Sequence, residues 1–407
     1  MSIKERFEIP SGFRMWSMGL MIVGILSLII GYFVYGRGDE AHQTRFWATL
    51  LQNSVYFLLV VNAAMFFFCA VSLAMGGFQM AFRRVTEAVS ACVPIIGGIT
   101  FVILMCIVMG HKSFIYEWLD KAVVAKDPVL NGKKGFLNPT FFIFWTTLTI
   151  GLWSVLGYKM RKISRELDDH VPTIEEGKKY IYKNTVWAGL YIVWFALTVA
   201  STVPWLWLMS INAHWFSTMY SWYTFASTFV AGVALMTLFV IYLKNKGYLE
   251  YVNKEHLHDL GKFQFAFSIF WTYLWFSQFM LIWYANIPEE TTYFRPRFEG
   301  AYTGIFYLNL CINFLAPLLI YMRRSSKRNY ATLTIMSVAL LFGHWLDFYQ
   351  MVFASLFPDH VSLNLFDFGI AAGFVGLIIY QTGRVLARYP LYAINHPFFK
   401  ESIIHHT

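Results

Sequence analysis

Residues Leu50–Met75 read LLQNSVYFLLVVNAAMFFFCAVSLAM and carry no charged side chain. A helix crossing the hydrocarbon core of a bilayer needs about 20 mostly apolar residues. The run is continuous rather than alternating, which fits a helix and excludes a strand of a membrane barrel. Working outward from it, nine more runs of this kind occur, at 15–35, 88–110, 139–158, 184–209, 218–243, 263–287, 301–321, 331–357 and 365–385. The ten runs occupy more than half of the chain. They predict an all-α integral membrane protein with ten transmembrane helices.

Composition agrees. Of 407 residues, 57% are hydrophobic, 19% are aromatic and 14% are charged. An average soluble domain has about 25% charged residues. So much apolar surface does not fit a soluble core, intrinsic disorder or a nucleic-acid-binding face. The first run is longer than the apolar part of a signal peptide, and no small-residue cleavage site follows it, so it reads as a retained span. No long linker, low-complexity segment or internal repeat divides the chain. The predicted organisation is a tail at 1–14, one membrane domain at 15–385 and a second tail at 386–407.

The charged residues set the orientation. Of the 32 Lys and Arg, 23 fall in the tails and the loops on the same side as them, and 9 in the opposite loops. The positive-inside rule then predicts both termini in the cytoplasm. The formal net charge of +9 is mostly this bias.

Cofactor motifs are lacking. Cys69, Cys92, Cys106 and Cys311 are far apart in sequence, with no CxxC or CxxCH, so neither an iron–sulfur cluster nor covalent haem is expected. Of eleven His, only His344 falls inside a run, which argues against a bis-histidine haem. No phosphate-binding or dinucleotide fingerprint precedes a helix.

Ionisable residues inside a span are costly and often functional. The ten runs contain four: His344, Asp347, Asp367 and Arg384. Arg384 lies at a span edge and can snorkel. His344 is the midpoint of its run, and Asp347 lies about 4.5 Å further along the axis, on a neighbouring position of one helix face. A His and a carboxylate together take up and release protons, the chemistry of a membrane proton relay. The plainer alternative is a buried pair that locks helix packing. Ordered by depth, Glu87, Ser268, Thr272, Thr334 and Ser337 lead inward from the cytoplasmic side. His344 and Asp347 hold the centre. Gln278, Asp367, Asn286, Glu289 and Glu290 lead out. Asn309, Asn313 and Asn62 add polar groups within spans, where amides commonly join helices.

Four stretches carry a resemblance. Phe270–Phe294 (FWTYLWFSQFMLIWYANIPEETTYF), His344–Val352 (HWLDFYQMV), Phe13–Gly24 (FRMWSMGLMIVG) and His396–His406 (HPFFKESIIHH) resemble the F subunit (ActF) of bacterial alternative complex III, an NrfD-like, polysulfide-reductase-type membrane subunit. The resemblance implies two four-helix bundles plus flanking helices in a bacterial inner membrane. It implies a quinol oxidoreductase of the respiratory chain, passing electrons from menaquinol or ubiquinol to cytochrome c or an oxidase. Haem c and iron–sulfur clusters would then belong to partners: a quinol-binding C subunit, an iron–sulfur B subunit and multihaem cytochrome c subunits, with a terminal oxidase beyond them. This chain would hold no redox cofactor and would carry a proton-translocation pathway through His344, Asp347 and the polar block of span seven. The rival readings are an NrfD-like quinol-binding subunit that completes a site with an iron–sulfur partner, a stand-alone secondary transporter, and a purely structural scaffold.

Overall fold

A computed structural model of the protein describes residues 6–406. Among them there is no strand, and ten helices are long and apolar enough to cross a membrane. They are α1 Ser11–Gly36, α2 Glu40–Leu73, α3 Arg83–Met109, α4 Pro139–Ser164, α5 Ile174–Asn212, α6 Met219–Asn245, α7 Lys254–Ala285, α8 Thr303–Tyr321, α9 Tyr330–Leu356 and α10 Leu365–Arg388. The protein is thus a multi-pass membrane protein.

Most helices outrun their apolar sequence because their ends are capped by polar groups beyond it. Asp39 accepts the His42 N–H at the start of α2, and Asn138 accepts that of Phe141 before Pro139 of α4. Thr173 and Glu176 form a reciprocal box at α5, as Asn364 and Asp367 do at α10. The far end of α7 closes on Asn286 in the left-handed region (φ 49°), two residues before Pro288.

Three helices contain π-helical turns: Tyr32–Gly36 in α1, Thr198–Thr202 in α5 and Cys311–Leu315 in α8. The latter two directly precede Pro204 and Pro317. A proline cannot donate to the carbonyl four residues back, and the ladder relaxes there by one wider turn.

Helices α2 and α6 are the most buried, and they pack on each other. Helices α2, α3, α4 and α5 pack in sequence, with α5 returning to α2. Helices α6, α7, α8 and α9 form a second group: α7 and α9 pack on α6, and α8 packs on α7 and α9. Helix α1 pairs along its length with α10, which also touches α2 and α3. Both ends of the chain lie at one end of the molecule: Phe7 packs on Tyr242 and Tyr248, while Ser402 meets His256 at 3.1 Å and the Phe78 carbonyl at 2.8 Å.

Candidate functional site

Four helices of the second group converge on Asp347, which is 1% exposed. On one oxygen, Oδ1, it accepts the Tyr223 hydroxyl from α6 and the Asn309 amide from α8 (3.0 Å). On the other, Oδ2, it accepts the Ser227 hydroxyl from α6 and the Trp271 indole N–H from α7, both at 3.0 Å. Tyr223 and Ser227 are one turn apart, so one face of α6 supplies both. Four donors fill the four lone-pair sites of a carboxylate. Water is thereby replaced by fixed donors, which lowers the cost of a buried charge.

Ser227 also meets His344 Nδ1 at 3.0 Å. A hydroxyl has one proton to give. When Ser227 donates to Asp347, His344 must donate from Nδ1 to Ser227. When Asp347 carries a proton, the chain reverses: Asp347 donates to Ser227, and Ser227 donates to His344. Asp347, Ser227 and His344 thus form a three-membered hydrogen-bond chain with two opposite polarities. The Trp271 and His344 rings meet edge to face, 5.5 Å between centroids, and His344 Nε2 has no hydrogen-bond partner among the described residues.

The chain has polar neighbours on both sides. Asn313, in the π-helical turn before Pro317, donates to Asn309 at 2.5 Å and so extends the Asp347 shell along α8. Beside Asp347 lies a cavity of about 20 Å³, bordered by Gln278, Asn309, Gln350, Tyr293 and Arg297. That is room for one water molecule. Arg297 is buried, donates to the carbonyls of Tyr293 and Gln350 and to Ser355, and lies over the Tyr293 ring at 3.6 Å. Toward the end of the molecule that holds the termini, Gln264 joins Thr237 (2.9 Å), Ser337 (3.0 Å) and the Tyr321 hydroxyl (2.7 Å).

Of the residues ordered by depth in the sequence, the structure gathers His344, Asp347 and Gln278 around one centre. Ser337 belongs to the Gln264 cluster, two turns before His344. Ser268 is buried one turn before Trp271, and its hydroxyl has no partner among the described residues. Thr272 donates to the Ser268 carbonyl of its own helix. Glu289 is exposed in the short helix Pro288–Thr291, and the Glu290 carbonyl accepts the Trp215 indole N–H.

Two carboxylates lie elsewhere. Asp367 is paired with Arg45 of α2, accepts Thr49 Oγ1 at 2.7 Å, and takes the Asn364 backbone N–H as part of the α10 cap. It fastens α10 to α2. Glu87 accepts both oxygens' worth of Arg84 (2.9 Å each), Ser164 at 2.5 Å and Arg165 at 3.3 Å, while Arg84 also binds Asp168. Arg83 reaches Ser164, Asn184 and His396, and Arg161 donates to Ser90. This cluster ties α3, α4, α5 and the final segment together, and α3 has no packing against α7 or α9 comparable with its contacts to α2 and α10.

The sequence reading missed Arg45, Arg83, Arg84, Arg161 and Arg297, all buried. Each lies just outside an apolar run, because a run is cut where a charge occurs. Tyr223, Ser227 and Trp271 were missed as ordinary span residues. Their only signal was the i,i+4 spacing of Tyr223 and Ser227.

Cys69 and Cys92 are buried and Cys106 and Cys311 exposed, all as free thiols. Among the described residues, no group of three or more His, Cys, Asp or Glu side chains is arranged to hold a metal ion. No protein-family model matches the chain, and no curated protein matches it.

Proposed function

We propose that this chain is an integral subunit of a bacterial respiratory quinol oxidoreductase, similar to the F subunit of alternative complex III, and that its role is proton transfer rather than electron transfer. The observation that carries the proton role is the Asp347–Ser227–His344 chain, buried mid-helix between α6 and α9. Carboxylate plus imidazolium and carboxylic acid plus imidazole interconvert by one proton passed through the hydroxyl, without either side chain leaving its place. The small cavity beside Arg297 and Gln278 gives Asp347 a water-sized step in one direction, and the Gln264 cluster supplies polar groups in the other.

Electrons would travel through haem c and iron–sulfur clusters of partner subunits, with menaquinone or ubiquinone as donor. The resemblance over span seven and His344–Val352 supports this membership. The grouping of α2–α5 and of α6–α9, with α1 and α10 outside, is read as two four-helix bundles plus a flanking pair. The excess of Lys and Arg at the end holding the termini supports an orientation with both termini cytoplasmic in the inner membrane.

Purification of the affinity-tagged chain from its native membrane tests membership. Co-purification with c-type haem, iron–sulfur clusters and quinol oxidation is expected. A chain that purifies alone and carries a solute into liposomes would establish the transporter reading instead. Bound quinone lost on mutation of His344 would establish the quinol-binding one.

A further inference from the structure

The helix pair α1–α10 does not close against the rest of the protein on every side. It meets α2 and α3, but between it and α2, α6 and α9 lies a crevice of about 840 Å³. That volume is in the range of sites for small organic ligands, ~300–1,000 Å³. The walls are almost wholly apolar, formed by residues such as Phe57, Leu235, Phe239, Leu341, Phe342 and Val375. Along α6 the lining runs from Leu235 to Lys246, and along α10 from Phe368 to Ile379. Each stretch is about 16 Å long, roughly half of the ~30 Å hydrocarbon core. The two stretches are staggered: Phe13 packs on both Tyr242 and Gly383, so the α6 stretch lies nearer the termini than the α10 stretch and the crevice is longer than either.

Its polar groups are distributed unevenly. In the deep part, the Tyr56 hydroxyl is used by the Leu341 carbonyl (2.7 Å) and the Trp345 indole N–H by Asn53 (2.9 Å). Neither is left to hold the carbonyls of a quinone ring. At the end that holds the termini the situation reverses. Lys246 is exposed and is the charged residue of the lining, with Trp16 and Tyr242 nearby. Phe13 separates the crevice from a cleft of about 180 Å³ that contains Arg14 and Arg384, both exposed. Among the described residues, none of these three cations forms an ion pair with a carboxylate.

We propose that this crevice is a binding site for an anionic phospholipid, with acyl chains along α2, α6 and α9 and the phosphate at Lys246, while Arg14 and Arg384, beyond Phe13, add positive charge at the same end. Apolar depth without free donors suits hydrocarbon chains. Lys246 at the rim suits a phosphate diester, and each unpaired cation at this end, Arg14 and Arg384 included, favours an anionic lipid. Trp16 and Tyr242 have the amphipathic character of residues placed at the headgroup boundary. The site is independent of the Asp347 chain and of the role proposed for it.

The test uses the full chain, delipidated in detergent and titrated with phosphatidylglycerol and phosphatidylcholine of identical acyl chains. Native mass spectrometry reads retention and thermal unfolding reads stabilisation. Phosphatidylglycerol should bind more tightly, and removing Lys246, Arg14 or Arg384 by substitution with Ala should cost about fivefold per cation, only for the anionic lipid. Ala371→Trp, which fills the crevice, should reduce retention of both lipids while helix content measured by circular dichroism stays that of the wild type. Equal affinity for the two lipids, unchanged retention in a folded Ala371→Trp protein, or displacement of phosphatidylglycerol by an isoprenoid quinone would each overturn the proposal.

Discussion

Asp347 accepts four hydrogen bonds, and each donor has a separate consequence. Trp271 and Asn309 only hold the carboxylate, whereas Ser227 also links it to His344. Removing one hydrogen bond to a buried group costs about 1–3 kcal/mol. Trp271→Phe and Ser227→Ala should therefore lower stability by similar amounts. Only Ser227→Ala should interrupt proton transfer, and Ser227→Thr, which restores a hydroxyl, should recover it. Equal proton transfer in Trp271→Phe and Ser227→Ala would show that the hydroxyl is not in the path. His344 and Asp347 were legible in the sequence because charges inside an apolar run are rare. Ser227 was not, because a serine in a span is ordinary until its neighbours are known.

His396 makes a different residue-scale prediction. It lies after α10, and burial, with Arg83 and Arg84 beside it, pushes its imidazole down to about 2 from an ordinary 6.5. The folded protein then binds fewer protons there than the unfolded chain between those values. Its contribution to stability is complete above pH 6.5 and is lost as pH falls, by up to about 1.4 kcal/mol per unit. His396→Gln keeps an acceptor for Arg83 and removes the titration. Unfolding temperatures followed from neutral pH to pH 5 should decline more steeply for the wild type than for the variant.

At the scale of elements, glycine decides how α1 meets α10. A Cβ built on Gly24 would lie 2.3 Å from the Gly373 Cα, and one on Gly373 would lie 2.8 Å from the Gly24 Cα. The two backbones are in contact, as small residues allow within membranes. Gly369 and Gly373 are one turn apart on the same face, and Gly369 meets Ser27. Gly373→Leu should force the pair apart and lower stability by about 1–3 kcal/mol or more. Dipolar spectroscopy between spin labels at Gly12 and Ala387 checks this, and an unchanged distance would refute it.

The existence of the ten helices was legible from their apolar runs. Their ends were not. Helix α2 begins at Glu40, ten residues before its apolar run, because Arg45 finds Asp367 and Thr44 and Thr49 donate to their own helix. A charge that ends an apolar run in the sequence can continue the helix when a partner is buried with it. Asp367 shows the same physics from the other side: depth alone placed it on a path, whereas its partners make it a cap and a fastening. Replacing Asp367 by Asn would leave Arg45 buried without its charge partner, at a cost of about 3–5 kcal/mol. Thermal unfolding should register that loss, and stability unchanged from the wild type would mean that Asp367 does not fasten α10 to α2.

At the scale of the molecule, ionic fastening and the Asp347–Ser227–His344 hydrogen-bond chain are spatially divided. The arginine cluster around Glu87 ties α3, α4 and α5 to the final segment, and the Asp347 chain lies among α6, α7, α8 and α9. Charge in the first group is paired with fixed cations. The Asp347 carboxylate has neutral donors instead, an arrangement that lets its protonation change without breaking an ion pair. This division could not be read from one dimension, because depth along a helix does not say which helices touch.

Proton release per electron, measured in proteoliposomes of the intact assembly with wild-type chain and with Asp347→Asn, tests the proton role most directly. The asparagine keeps the shape, and its Oδ1 can still accept from Tyr223 and Asn309, but its amide nitrogen in place of Oδ2 cannot take up and release a proton. Quinol oxidation should persist while proton translocation falls by about tenfold or more, in line with loss of a group that carries protons. Undiminished translocation in a fully assembled Asp347→Asn complex would mean that protons take another route, and that the Asp347 cluster only holds four helices together.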